Sequence, residues 1–201
     1  MKRAELFHPR IFSDREWAEG YYKRNVKNIE RVGKRFVQLL KRAGFEKGSI
    51  LDTGCGFGAV DIEIAQSFSN VEVVGIDLGE PLLELGQTLA RKTGVSDKIE
   101  FIKGDVQELD FENGSFDVVI NTFMLHIVET PVAMLDEIER VTKKQGRIMI
   151  TDLRRFWLAF AVRKLGTSFT LEEAKEVISK SGIRPGTYSR GPFWWDYMVG
   201  I

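Results

Sequence analysis

Apolar residues recur along this chain with two different periods, and the change falls near residue 48. Upstream, Val26, Ile29, Val32, Phe36, Val37 and Leu40 repeat at spacings of three and four, which places one apolar stripe along a helix. Lys34, Arg35, Lys41 and Arg42 fall mostly on its other side, and Gly44 follows as a stop signal. Downstream, short apolar runs alternate with helical patterns. Strands are predicted over 49–52, 71–77, 99–103, 116–121 and 147–152, and helices over 59–68, 81–93 and 131–141. Thr130 before Pro131 reads as an N-cap followed by the residue best suited to the first helical position. Thr170-Leu-Glu-Glu173 reads as a capping box opening another helix that ends near Ser181-Gly182. Residues 188–201 read as one or two closing strands. Strands alternating with helices imply parallel βαβ units, hence an α/β fold with a doubly wound sheet covered on both faces.

The 201 residues suffice for one domain, with 1–48 as a helical arm and 49–201 as the body. Apolar residues make up 43% and charged ones 29%, the balance of a soluble globular chain. The single cysteine, Cys55, excludes an intramolecular disulfide framework and a Cys-based structural zinc site, and no metal is expected. The longest apolar run, 156–162, is far short of the roughly 20 residues needed to span a bilayer. With no apolar signal core behind the basic Lys2-Arg3 pair, a cytoplasmic protein without membrane contact is expected. The formal net charge is +0, but residues 1–48 carry 13 Lys and Arg against 6 Asp and Glu. Such an arm either attracts an anionic partner or is a solvated helix face. No basic run exceeds two residues, which disfavours a nucleic-acid tail.

In a doubly wound sheet the ligand lies beyond the carboxyl ends of the strands, where strand order reverses. After the first strand comes Ile50-Leu-Asp52-Thr-Gly54-Cys-Gly56-Phe-Gly58-Ala59. Glycines at alternate positions allow a tight turn and close approach of backbone to ligand. Gly54, Gly56 and Ala59 also satisfy the dinucleotide pattern, so the loop alone is ambiguous. Asp52 ends the first strand, and Asp77 ends the second, 19 residues beyond Gly58, placed to accept from ribose hydroxyls. Asp105 follows the third strand and is placed to accept from an exocyclic amino group. Three carboxylates at one rim suit a cationic adenosine ligand better than a pyrophosphate.

These stretches, with Val74-Gly-Ile-Asp77, Gly104-Asp105-Val106, Phe116-Asp-Val-Val-Ile-Asn121 and Ile138-Glu-Arg-Val-Thr-Lys-Lys-Gln-Gly146-Arg, resemble class I S-adenosylmethionine-dependent methyltransferases over about residues 45–152. The resemblance implies a Rossmann-like, mostly parallel seven-stranded sheet, with the N-terminal helix as a lid and S-adenosylmethionine as cofactor. It implies that Gly54 and Gly56, with Cys55 and Gly58 in the same loop, hold the methionyl end. Asp77, with Leu78 beside it, would hold the ribose, and Asp105 and Val106 the adenine. Asn121 would lie beside the amino-acid portion or the transferred methyl, and Tyr22 or its neighbour Tyr21 would cover the donor.

Cys55 between two glycines reads as a small packed side chain rather than a nucleophile. His126, in Phe123-Met-Leu-His126-Ile, is either a general base for an acidic acceptor proton or a hydrogen-bonded support of its loop. His8 carries less. Trp157, Phe160, Trp194 and Trp195 line an acceptor pocket or form core, and Arg154 or Arg155 bind an acceptor anion or pair on the surface. The leading function is methyl transfer to a small molecule. Nucleic-acid or protein methylation, nicotinamide-dependent oxidoreduction and non-catalytic donor binding are the alternatives. Asn121-Thr-Phe-Met124 lacks the prolines of amino-methylating nucleobase enzymes, and no tyrosine is followed by lysine at the Tyr-x-x-x-Lys spacing of many oxidoreductases. Partner copies cannot be read from the chain.

Overall fold

The computed structural model describes residues 13–155 and 166–201. His8, Trp157 and Phe160 lie outside them. Helix α1 (Arg15–Arg42) leads into β1 (Lys47–Thr53), α2 (Ala59–Ser67), β2 (Asn70–Asp77), α3 (Glu80–Thr93) and β3 (Ile99–Lys103). The second half runs β4 (Phe116–Thr122), α4 (Pro131–Val141), β5 (Thr142–Leu153), α5 (Leu171–Ser179), β6 (Thr187–Arg190) and β7 (Trp194–Val199). The strands form one sheet in the order β3-β2-β1-β4-β5-β7-β6. The first five strands in that order run parallel; β7 returns antiparallel to β5, and β6 antiparallel to β7. Strand order reverses between β1 and β4, which fixes where the cleft opens.

Alternation within the strands builds two apolar layers. Ile50, Val118, Ile120 and Met149 face Phe36, Leu40, Val60 and Ile64 of α1 and α2. Leu51, Val119, Ile148 and Ile150 face Met134, Leu135, Ile138, Ala174 and Ile178 of α4 and α5. Burial on both faces is why these strands read as continuous apolar runs. Strand β5 begins five residues before the predicted start. Lys143, Lys144 and Gln145 are exposed there, and the register with β4 shifts between Phe116 and Val118, so that stretch carries no apolar signal.

Helix α1 starts behind Asp14, whose side chain accepts the Trp17 N–H at 3.1 Å, and Gly44, at φ 72°, ends the turn beyond it. Arg35 sits on the side of α1 expected to face solvent, yet its guanidinium reaches the sheet. It donates to both oxygens of Asp196 on β7, each at 2.8 Å, and to Thr151 Oγ1 on β5 at 2.7 Å. The capping box of α5 forms as predicted: Glu173 N–H donates to Thr170 Oγ1, and Thr170 N–H to Glu173 Oε2. Thr130 stands at the N-cap of α4 but its side chain makes no capping bond. Its backbone N–H donates instead to Gln107 Oε1 at 2.7 Å. Among the described residues no helix is long and apolar enough to cross a membrane.

Candidate active site

Gly54, Gly56 and Gly58 have φ of 84°, 57° and 68°, left-handed conformations that other residues adopt only with strain. Their surroundings differ. A Cβ at Gly54 would lie 2.2 Å from Met124 Cγ, and one at Gly58 2.4 Å from the Phe101 ring, whereas Gly56 faces open space. The outer two glycines serve close packing; the middle one presents bare backbone to the cleft. The loop hangs from β2: the N–H groups of Gly54 and Cys55 donate to Ile76 O, at 2.8 and 3.1 Å. Gly56 N–H donates to Asp77 Oδ2 at 2.9 Å, and Gly79 N–H to Asp77 Oδ1 at 2.7 Å. Asp77 therefore braces the loop and the entry to α3 with one carboxylate. Its burial raises its pKa, against the lowering pull of the Gly79, Gly56 and Leu78 N–H groups. Leu78 beside it is half exposed.

The first half of α1 packs over this loop. The Tyr22 and Phe57 rings meet edge to face at 5.2 Å, Tyr21 and Phe57 at 5.9 Å, and Trp17 stacks on Tyr21 at 5.1 Å. Burial and the charge of Asp77 push the Tyr21 hydroxyl up to about 12, so Tyr21 lies within electrostatic reach of the rim. Both tyrosines thus lie over the loop, where the sequence reading offered one or the other. Phe57, only 1% exposed beneath them, is the residue that sequence reasoning passed over. It stood unremarked between two glycines.

Asp52 is 1% exposed, and Oδ1 finds no partner among the described residues. Asn121 Nδ2 donates to Thr53 O and Thr53 Oγ1, both at 2.9 Å, leaving Oδ1 buried and unpartnered. Thr122 Oγ1 is likewise buried and unpartnered. Orphaned polar atoms are costly in a protein interior, and here they stand at the ends of β1 and β4, Asp52 and Thr122 on the α2 side of the sheet and Asn121 on the side of Met134. A group rich in N–H and positive charge fits the unpartnered Asp52 carboxyl at the loop; an anionic pyrophosphate does not. Directly after β4, Phe123 holds φ 59°, a strained conformation for a bulky residue of the kind found at ligand sites.

Asp105 accepts from its neighbour Gln107, from the backbone N–H at 2.9 Å and from Nε2 at 3.1 Å. Val106 is 4% exposed and its side chain joins the α4-side core, which leaves only its backbone for any other contact. Cys55 is buried, and burial together with Asp61, Asp77 and Asp52 raises its thiol pKa well above the usual range. That thiol is held protonated, in keeping with a packed rather than nucleophilic cysteine.

Asp152 at the end of β5 holds His126 twice: Oδ2 accepts the His126 backbone N–H at 2.9 Å, and Oδ1 lies 2.5 Å from Nδ1. The pair is buried, at 4% and 0% exposure. Arg155 is buried in an ion pair with Glu173 and donates to Ser168 O, and Arg154 donates to Pro192 O at 2.8 Å. Trp195 is wholly buried in the core, and Trp194 lies under the Arg35 guanidinium. Among the described residues no group of three metal-ligating side chains occurs.

A glycine loop at the switch point of a doubly wound sheet, braced by an acid at the end of β2, is a frame like that of S-adenosylmethionine-dependent methyltransferases, and the chain's family and relatives are enzymes of that class. The chain belongs to the methyltransferase domain family, which matches residues 45–183. It is 30% identical over 166 residues to the ubiquinone/menaquinone biosynthesis C-methyltransferase UbiE of Geobacter sp. (strain M21), covering 76% of this chain and 70% of that one. It is also 30% identical over 132 residues to a malonyl-[acyl-carrier protein] O-methyltransferase of Legionella pneumophila, covering 66% of this chain and 45% of that relative. The fold superposes on a SAM-dependent methyltransferase from Aquifex aeolicus with a TM-score of 0.69 at 20% identity, covering 80% of this chain and 86% of that one.

Proposed function

We propose that this enzyme methylates a small molecule rather than nucleic acid or protein. The observation that carries the reading is how little chain separates the fifth strand from the last helix: β5 ends at Leu153 and α5 begins at Leu171. No substrate domain fits in that span, and the cover that is described is the aromatic half of α1. The relatives support the same class, one named for quinone biosynthesis and the other for malonyl-carrier methylation. Their acceptors differ, so family membership does not choose between carbon and oxygen nucleophiles.

In this reading Asp52 and the backbone of Gly54, Cys55 and Gly56 hold the amino-acid end of S-adenosylmethionine, with Gly58 giving the loop its shape. Asp77 accepts from the ribose with Leu78 flanking it, Asp105 and Val106 meet the adenine, and Asn121 stands beside the reacting end. Tyr22 and Tyr21 close the cleft and exclude water. The bound sulfonium supplies an activated methyl group, so the protein's main contribution is to align the acceptor. Of the two roles open to His126, its double hold by Asp152 supports the anchoring one: the pair ties the loop after β4 to the end of β5.

Formation of S-adenosylhomocysteine would be followed with quinols, phenols and small carboxylic acids, and in parallel with RNA, DNA and a protein extract. Turnover is expected with a small acceptor. Turnover confined to the macromolecules would reject the proposal.

A further inference from the structure

Asp61, on the first turn of α2, is wholly buried, and neither of its carboxyl oxygens meets a donor among the described residues. It lies beneath the glycine loop. A Cβ added at Gly75 would stand 2.8 Å from Asp61 Oδ2 and 2.9 Å from Cys55 Sγ, which explains the glycine in the middle of β2. Gly75 is paired in register with Asp52, so the side chain of Asp52 points toward the same layer as that missing Cβ. The carboxyl groups of Asp52 and Asp61 thus come together in the interior between β1, β2 and α2.

The groups facing this pair are of one kind. From β1 comes Asp52 itself, from the loop Cys55, from the end of β2 Asp77, and from α1 Tyr21, within reach of Asp77. None of the three aspartates has a cationic partner among the described ion pairs. Two adjacent buried carboxylates repel and are poorly solvated, so they bind a proton between them. That proton is also the hydrogen through which two acceptors can bond. Burial raises both groups, Asp52 well above its usual range and Asp61 to about 7.

We propose that Asp61 is a positioning residue for donor binding: it shares one proton with Asp52 in the donor-free enzyme, and the pair releases that proton to solvent as the cationic end of S-adenosylmethionine settles on the loop. This rests on the donor site proposed above. The incoming positive charge favours the ionised pair, and the freed Asp52 carboxylate supplies an acceptor that the protonated pair withholds. Asp61 acts through Asp52 and has no contact of its own with the reacting atoms.

The test is titration calorimetry of the full chain with S-adenosylmethionine at pH 6.5, in PIPES and in imidazole, which differ in ionisation heat. At this pH the donor's own amino group, of a type that titrates at about 7.7–8.0, is already protonated. Binding heats that differ between the buffers, corresponding to roughly half to one proton released per donor, are expected. Asp61→Asn, which keeps the size of the side chain, should still bind the donor and release at least fivefold less. The donor-induced infrared difference spectrum of the wild-type protein should show loss of a protonated-carboxyl band. This readout needs no variant. Buffer-independent heats with normal donor binding overturn the proposal and leave the donor site standing. Unchanged release from folded Asp61→Asn also overturns it. Absence of donor binding to the wild-type protein overturns the donor site as well.

Discussion

Asp77 accepts the N–H of Gly56 at 2.9 Å, so the last residue of β2 holds the middle of a loop 21 residues before it in the chain. Its other oxygen accepts Gly79 N–H. The loop is open to a ligand at Gly56 because Asp77 keeps it drawn toward β2. One side chain shapes the cradle and, in our proposal, also binds what lies in it.

Asp77→Ala is therefore expected to weaken two things. Two partly buried N–H groups lose their acceptor, at a cost of about 1–3 kcal/mol in stability. Donor affinity, measured by calorimetry on protein shown to be folded, should fall at least about tenfold, or 1.4 kcal/mol. A folded variant with unchanged affinity would remove Asp77 from the ribose.

The glycines of the loop should separate binding from folding. Gly56→Ala places a methyl group in open space, at a strain cost of about 1–2 kcal/mol for the left-handed backbone. It should melt slightly lower and lose most donor binding. Gly58→Ala carries the same strain and also drives a carbon into the Phe101 ring. It should be the less stable of the two by thermal denaturation. The reverse order would contradict the packing described for the loop.

Arg35 and Asp196 join α1 to β7, and their energy should depend on acid pH. Burial works against ionised Asp196, but hydrogen bonds from Arg35, Thr151 and Ser189 outweigh it and hold the carboxyl below its usual range. A depressed native pKa stabilises the fold above the unfolded value of about 3.9 and ceases to do so as pH falls through the native value. Asp196→Asn should be destabilised at pH 7 by about 1–3 kcal/mol, the range for losing charge-assisted hydrogen bonds, since Arg35 keeps its bond to Thr151. The gap from wild type in urea denaturation should close below about pH 4. A gap independent of pH would mean that packing, rather than charge, accounts for the loss.

Asp61 has the opposite sign. Its native carboxyl, raised to about 7 by burial, keeps a proton that the unfolded chain has already lost above about pH 4. Wild-type stability from this group therefore declines as pH rises from about 4 to 7 and then levels off. Asp61→Asn removes the dependence, so its stability relative to wild type should improve across that window in urea denaturation at pH 5 and pH 8. A constant difference would show that Asp61 is ionised throughout.

What the sequence could show and what it could not divide along physical lines. Strands buried on both faces, such as 116–121, and capped helices, such as that after Thr170, carry their signal locally, and they lie within a residue or two of their expected places. The rim acids Asp52, Asp77 and Asp105 were visible because each stands at or just beyond the end of a strand. Asp61 was not. Helix α2 is buried nearly all round, so its one inward acid reads as an ordinary polar position among Ala59, Val60, Ile62 and Ile64. The His126–Asp152 pair spans 26 residues and the Arg35–Asp196 pair 161, and no local period encodes such partners. Thr130 shows the converse: a sound local capping signal overridden because Gln107, from a distant loop, reaches the same backbone.

The aromatic cover formed by α1 gives the most demanding prediction. Trp17, Tyr21 and Tyr22 lie over Phe57, which is part of the glycine loop itself, so the helix and the donor cradle share one cluster. Farther along, the same helix is pinned by Arg35 to Asp196 and by Phe36 and Leu40 to the core. Removing the tyrosines should therefore uncover the loop without detaching α1. In Tyr21→Ala/Tyr22→Ala, each lost edge-to-face pair costs about 0.5–1.5 kcal/mol beyond its buried area, and the melting temperature should fall modestly. Methyl transfer should fall further, by at least about tenfold or 1.4 kcal/mol in the barrier, because water enters and the acceptor is no longer confined. In the wild-type protein, donor binding should slow amide exchange over residues 15–24, and the double variant should lose that protection. Normal turnover by the variant, or exchange in this segment indifferent to the donor, would make the start of α1 a scaffold rather than a lid.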